Sequence, residues 1–351
     1  MNKPVKIKSL PGIQLSFLAD YGGQGMYRTL LPYNYTNSLS VSNMVFTPMF
    51  MGDLAFLQNC SCLRFQRQCK ANHMEIFQKY YTTIKGKTPR RTKFIYELDD
   101  NIDHIAPDNF AFKEYGKSEK NNAVSMMKRC DVVVFSTYTL KKYYEVQRGV
   151  TNSVVIPNLL PKFLWGEPNP QKEGQIKKPK VLWSGSQSHY GANNDLEFIL
   201  QLIEYTHEDF HWIIQGNPKS FHRKLDEKIM KKIQTIPSVP FYSYANRLKE
   251  IKADIAIAPL VDNLFNRSKS NLKLLEYTAS GYPTVCSNID PYEGAPIKLG
   301  MDVDLWANAI GKLAYDMGHR LTTYKNQQKI LQNYWLENPH NFKKWLEVLR
   351  P

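Results

Sequence analysis

The chain of 351 residues lacks any apolar run of the roughly eighteen residues needed to cross a bilayer, and its start, "MNKPVKIKSLPG", has no apolar core of a secretory leader. A membrane-spanning helix is therefore not expected, and a cytoplasmic chain is, in the host cytoplasm if the source is viral. Cysteine is scarce and odd in number: Cys60, Cys62, Cys69, Cys130 and Cys286 are scattered, and "CSCLRFQRQC" has no second half at zinc-ligand spacing. That argues against a disulfide framework or a zinc module and for reduced structural thiols. The sequence also has no low-complexity tract, no GxGxxG dinucleotide fingerprint and no nucleophile elbow, which removes the commonest dehydrogenase and hydrolase readings. Acidic residues are under-represented, 32 against 46 basic ones, for a formal charge of +14. Such an excess favours polyanions or anionic surfaces without choosing between them, and a solvated basic surface with no partner also fits.

What is present is the balance of a folded protein, 42% hydrophobic and 22% charged, at a length that suits two domains. Short apolar runs alternate with helical stretches. "IQLSFLAD", "TKFIYELDD" and "CDVVVFST" read as strands of the first half; "KVLWSGS", "FHWIIQGNP", "VPFYS", "ADIAIAPL" and "YPTVCSN" read as strands of the second, with "KLDEKIMKKIQ" among the helices between them. Buried strands separated by helices indicate parallel sheets with crossovers. The linker falls in "PNLLPKFLWGEPNPQKEGQIKKP", where proline, glycine and lysine suppress both periodicities. The expected architecture is α/β, two doubly wound Rossmann-like lobes facing a central cleft. Residues 1–165 form an acceptor-side lobe, 166–330 a nucleotide-sugar-binding lobe, and 331–351 a C-terminal helix packing back on the first lobe.

Ligands of such sheets collect beyond the carboxyl ends of the strands, so polar residues there are site candidates. In "FNRSKSNLKLLEYTASGYPTV" a helix capped by Ser268 or Ser270 puts Lys269, Lys273 and Glu276 on one face and Leu272, Leu275 and Ala279 on the buried one. A helix N-terminus with two lysines suits a diphosphate, and a carboxylate deeper in the helix suits the vicinal hydroxyls of a ribose. A surface helix with Glu–Lys pairs is the plainer alternative. In "DYGGQGMYR", Gly23 and Gly25 let the backbone approach a phosphate or an acceptor and Arg28 follows, although a tight turn would need the same glycines.

The order "ADIAIAPL", "FNRSKSNLKLLEYTASGYPTV", "SNIDPY" resembles the nucleotide-sugar end of retaining glycosyltransferases of the two-lobed GT-B fold, the group called family four. "FIYELDDNIDHIAPDN", "VVVFSTYTLKKYY", "VVIPNLLPKFLW" and "KVLWSGSQSHYGANNDLEFI" resemble, in the same order, blocks of a branch common in bacteriophages and in cell-envelope gene clusters, the phage sequences being nearer. The resemblance runs from Ile13 to Tyr292. It implies transfer of a sugar from a nucleotide diphosphate sugar to a hydroxyl with retention, no cofactor and no metal. Glu276 matches the second glutamate of the family's paired motif, which binds the donor ribose; the first falls on Ser268. Ser268, Lys269, Ser270, Asn271 and Lys273 are left to hold phosphates and sugar, with Lys269 and Lys273 stabilising the departing diphosphate. Gly185, Ser186, His189, Gly216 and Asn217, after strands, join the donor side; the family's usual Arg and Lys are missing from "WSGSQSHYG". In the first lobe Asp99 replaces a histidine at the sugar, and Asp100 keeps the acid beside it.

Several alternatives stay open on these residues. Asp99, Asp100, Asp103 and His104 suit a hard cation by composition, but the lysines already neutralise a diphosphate. Tyr242 and Tyr244 suit either a base-flanking role or the core. For the acceptor, a hydroxymethylated base in phage DNA fits the basic excess, with "LRFQRQCKANHMEIFQKYY" and "IKGKTPRRTKF" as backbone-tracking stretches; a cell-envelope polysaccharide or lipid-linked acceptor competes. A non-catalytic nucleic-acid-binding protein with a decayed transferase fold is the remaining reading, separated from the others by whether any sugar donor is cleaved.

Overall fold

The computed structural model describes residues 9–19, 22–47, 50, 52–85, 92–169, 173–174, 176–185, 189, 195–216 and 225–351. Among these, twelve strands form two sheets of six. The first holds β1 (Ile13–Phe17), β2 (Met44–Thr47), β3 (Cys60–Gln66), β4 (Lys93–Leu98), β5 (Val132–Phe135) and β6 (Ser153–Val155), in the order β2-β1-β3-β4-β5-β6. The second holds β7 (Lys180–Gly185), β8 (His211–Gly216), β9 (Gln234–Pro237), β10 (Ile255–Ala258), β11 (Thr284–Ser287) and β12 (Lys298–Leu299), in the order β12-β11-β10-β7-β8-β9. Every pairing is parallel. The strand order reverses between β1 and β3 in one lobe and between β7 and β10 in the other, and those two reversals are where a doubly wound sheet opens a crevice.

Helices cover both faces of each sheet, so the strands are buried on both sides and read as nearly continuous apolar runs: Ile255, Ala256 and Ile257 of β10 are fully buried. The second lobe departs from expectation in two places. "VPFYS" is not a strand; β9 ends at Pro237, and Pro240 sets a backbone that opens the helix Phe241–Ile251. Among the described residues of "KLDEKIMKKIQ", only Glu227–Met230 is helical. At the C-terminus the helix Pro339–Leu349 lays Phe342, Trp345, Leu346 and Leu349 against Leu10, Tyr33, Cys62 and Ile95 of the first lobe. The chain crosses there where the backbone of Leu160 pairs with Tyr334 and Leu336, each at 2.9 Å.

Strand β3 was not recognised in the sequence because buried charge interrupts it. Its Arg64 and the helical Arg28 both pair with Glu97 on β4, and all three side chains are 1% exposed or less. This corrects two expectations. Arg28 does not face a phosphate; it donates to Glu97, to the Ile156 carbonyl at 2.6 Å and to Asn158 at 3.2 Å. Arg64, at the head of the basic and aromatic stretch, does not track a polyanion. Residues 86–91 of the other basic stretch lie outside the described residues, and Lys85 beside them pairs with Asp131. A lone carboxylate balancing two buried guanidinium groups is strongly coupled to the fold. Glu97→Gln is therefore expected to cost about 3–5 kcal/mol, read as a lowered denaturation midpoint of the first lobe; an unmoved midpoint would show the triad to be energetically idle.

Candidate active site in the interlobe cleft

The stretch that opens the second lobe's crevice folds as two helices. Leu264–Arg267 is capped by Asn263, and Leu272–Ala279 starts after Asn271, not at Ser268 or Ser270. Lys269 therefore precedes the helix, and only Lys273 and Glu276 share its face. The helix stops where Gly281 adopts φ +94°, with its backbone so close to Asn169 that a Cβ would clash at 2.8 Å.

Glu276, 3% exposed, is the centre of the cluster. One oxygen accepts the Tyr27 hydroxyl from the first lobe at 3.0 Å; the other accepts the Lys273 ammonium at 3.1 Å and the Tyr244 hydroxyl at 3.3 Å. Tyr27 reaches it because the helical turn Met26–Leu30 is a π-helix, a widened turn often found at functional sites. Burial, and then the Glu276 carboxylate, push the Tyr27 and Tyr244 hydroxyls well above the ordinary tyrosine value, so both stay donors. Burial opposes the Lys273 charge, but Glu276 and Tyr277 reverse that and raise its pKa. Tyr277 in turn accepts the Ser184 amide at 2.9 Å, and Ser184 meets Tyr244 at 3.0 Å, tying the helix to the end of β7.

Lys269 lies on the other side of this cluster. Its Nζ is buried without a hydrogen-bond partner among the described residues and sits 4.9 Å from the Phe265 ring centroid. Its charge is felt by Asp100 of the first lobe and by His189 and Asp195 of the second. His189 donates a hydrogen bond from Nδ1 to Asp195, which also accepts the Val261 amide at 2.7 Å and Asn266 at 3.0 Å. Asp99 and Asp100 share Arg67, whose Nε reaches Asp99 at 2.7 Å and whose Nη2 pairs with Asp100. Arg67 holds a left-handed backbone, φ +57°, the kind of strained geometry that a surrounding structure must impose. The two carboxyls diverge. Burial dominates at Asp99 and raises its pKa, whereas at Asp100 burial is outweighed by Arg67, Lys269 and His189, which lower it. Asp100 is 34% exposed and Asp99 10%, so Asp100 is the carboxylate open to the cleft.

The remaining expected residues are distributed as follows. Ser268, fully buried, donates to the Leu264 carbonyl at 2.7 Å and accepts from Asn101 of the first lobe at 3.2 Å, while its carbonyl accepts from Thr137 at 2.9 Å. Ser270 accepts from Asn158 at 2.8 Å, which connects it to Arg28. Asn271 is the residue before the helix and makes no side-chain cap bond. Gly185 and Gly216 pair across β7 and β8, and a Cβ on Gly216 would stand 2.0 Å from the Gly185 carbonyl oxygen, so the two strand ends touch. Gly23 and Gly25 lie in a helical turn, not a loop. Ser186 and Asn217 lie outside the described residues. Asp103 faces away, bonded to Tyr143 at 3.1 Å and near Arg148, so it does not complete a cation site with Asp99 and Asp100. Tyr27, Arg67, Asn101, Asn158 and Asp195 carry the geometry and were not singled out from sequence; Asp195 alone had a legible signal, an acid in the first turn of a helix after a strand.

Two parallel six-stranded lobes facing one cleft define the GT-B class of fold, and the chain has that fold. No protein-family model matches the sequence, and no curated protein does. Solved structures do match. An alpha-glucosyltransferase in complex with UDP and a 13-mer DNA containing an HMU base aligns at TM-score 0.65 and 11% identity over 96% of this chain and 98% of its own. Anabaena HepE with UDP and glucose gives 0.62 and 13%, over 96% and 99%. A variant of S. aureus TarM bound to Fondaparinux, alpha-GlcNAc-glycerol and UDP gives 0.56 and 13%, over 84% of this chain, which spans 56% of TarM.

Burial first, and then the Lys269 charge, hold the His189 imidazole below its ordinary 6.5 against the pull of Asp195. A lowered histidine contributes stability that is whole above about pH 6.5 and is lost as the pH falls through the lowered value. His189→Gln is expected to flatten that part of the curve, checked by urea unfolding of both proteins between about pH 7.5 and 5; parallel curves would refute it.

Proposed function

We propose that the chain is a glycosyltransferase that moves a sugar from a nucleoside diphosphate sugar to an acceptor hydroxyl, with retention, and that the acceptor is a hydroxymethylated base in DNA. The observation that carries the reading is the Lys269 ammonium, buried without a hydrogen-bond partner among the described residues, whose charge is felt by Asp100 and His189 and which lies four residues before Lys273 of the Lys273–Glu276 pair. A buried cation without a partner is costly and is relieved by an anion entering the cleft. Lys269 and Lys273 suit the diphosphate, whose charge grows as its bond to the anomeric carbon breaks, so their stabilisation is greatest at the transition state. Glu276 exchanges the Tyr27 hydroxyl for the ribose hydroxyls. Asp100, ionised and accessible, faces the positive charge developing on the sugar, and Asp99 with Arg67 fixes its position.

The acceptor assignment draws on the +14 charge and on the likeness to a fold that in another protein binds UDP and DNA together. A glycan or lipid-linked acceptor is the competing reading, since TarM, which shares the fold, binds Fondaparinux and alpha-GlcNAc-glycerol with UDP. Incubation with labelled nucleotide sugars and either hydroxymethylated or ordinary DNA, read by mass, is expected to add one sugar per hydroxymethyl base and none to ordinary DNA. Transfer to a glycan alone would overturn the acceptor, and no release of nucleoside diphosphate from any donor would overturn the enzyme. Glu276→Ala is expected to weaken UDP binding by about 10- to 100-fold, the loss of hydrogen bonds to a charged group; an unchanged titration would remove Glu276 from the donor site.

A further inference from the structure

A recess of about 720 Å³ opens at the linker, lined by none of the residues placed in the cleft. Three segments meet in it: the helix Leu31–Ser38 of the first lobe, the linker from Lys162 to Glu167, and Glu337 on the returning chain. Its walls are two rings. Tyr35 and Phe163 lie 6.4 Å apart at 19°, close to parallel, and Phe342 backs Tyr35 at 5.1 Å and 69°. Phe163 is 58% exposed, so its ring is open to a guest. The charge of the recess is opposite to that of the chain. One cation, Lys162, stands against two carboxylates, Glu167 and Glu337, in a chain of formal charge +14. Lys162 is already engaged: it pairs with Glu167 at 2.6 Å and lies 5.9 Å from the Trp335 ring centroid. Glu337 accepts the Lys162 and Phe163 amides at 2.9 and 3.2 Å, which fixes it in place, and it pairs with no cation among the described residues. Its charge reaches the first ring: burial, and then Glu337, raise the Tyr35 hydroxyl above the ordinary tyrosine value.

We propose that this recess binds a small soluble cation of the quaternary ammonium class, seated against Tyr35 and Phe163 and held by the charge of Glu337. Nothing in this recognition depends on the transferase reading. Aromatic faces attract a cation through the ring quadrupole, and most strongly when the cation is desolvated. A lysine-type ammonium is strongly hydrated and brings N–H donors that need acceptors. Acceptors are few here, because the Glu337 oxygens already serve two amides and Glu167 serves Lys162. A quaternary ammonium carries charge and no N–H, so it needs none of them. An anion is opposed by the two carboxylates, and a sugar meets the same shortage of acceptors for its hydroxyls. Lys249 of the second lobe holds the Trp165 carbonyl and, at 3.1 Å, the Glu167 carbonyl of the linker. A guest that ties Phe163 to Tyr35 therefore connects that second-lobe anchor to the first lobe.

The test titrates choline chloride into the full chain by calorimetry, with sodium chloride at matched ionic strength as the blank and choline's uncharged carbon isostere, dimethylbutanol, as the comparison. Choline is expected to bind about 2- to 30-fold tighter than the alcohol, the range of cation–π attraction. Phe163→Ala, which removes a largely exposed ring and spares the core, and Glu337→Gln are each expected to bring that ratio towards one. Equal affinities in the wild type overturn the cation and leave an apolar recess. A ratio that survives both substitutions places the cation elsewhere, and an absence of choline binding overturns the site. Phosphatidylcholine vesicles present the same headgroup from a membrane; sedimentation with them while free choline does not bind overturns the soluble guest. Maltotriose bound by the wild type but not by Phe163→Ala, with choline unbound, makes the rings a sugar platform and overturns the cation as well.

Discussion

A carboxylate buried between two lobes has to be balanced, and in this protein both lobes take part in the balancing. Glu276 draws a hydroxyl from Tyr27 on one side and an ammonium and a hydroxyl from Lys273 and Tyr244 on the other. Because these donors come from the first lobe's opening helix, the second lobe's Phe241–Ile251 helix and the helix of Glu276 itself, the carboxylate registers the elements of the cleft against one another. Its two oxygens, each accepting from a different side, make it an interlobe contact.

The rest of the cleft follows from how charge is buried on the first-lobe side. Glu97 holds Arg28 and Arg64, Arg28 holds Asn158, and Asn158 holds Ser270 across the lobe boundary, so a buried ion triad is connected through two hydrogen bonds to a residue two positions before the helix of Glu276. One residue beyond β3, Arg67 holds Asp99 and Asp100. Paired ions of this kind stabilise little on net, since desolvation opposes attraction, but they leave few alternative arrangements open. Against this background of satisfied charge, Lys269 stands out as a buried ammonium whose counter-charge the described residues do not supply as a hydrogen-bond partner.

Much of this was legible along the chain. Strands β4, β5, β7, β8, β10 and β11 were read where they occur because their buried faces make them continuous apolar runs. Glu276, Lys273 and Lys269 were placed after a strand of the second lobe, and the structure brings them together with Asp100 and His189. Strand β3 was lost because Arg64 and Gln66 interrupt its pattern, and those residues are tolerated only because Glu97, Thr29 and backbone groups answer them inside the core. Arg28 was misplaced for a related reason: an arginine after glycines looks like an anion site, and nothing local reveals a carboxylate waiting on β4.

Local chemistry therefore determined the class of the fold, because strand and helix periodicity and the punctuation of proline and glycine act over a few residues. Tertiary structure alone decided which charges are sealed in the core and which stand at the cleft. Arg28, Arg64 and Arg67 differ little in type or in neighbours along the chain, yet two are sealed around Glu97 and one is strained towards the cleft. The physical reason is that the fate of a charge depends on the nearest opposite charge in space. For these residues that partner lies 32 to 69 positions away, on or just beyond a strand brought alongside by the parallel sheet.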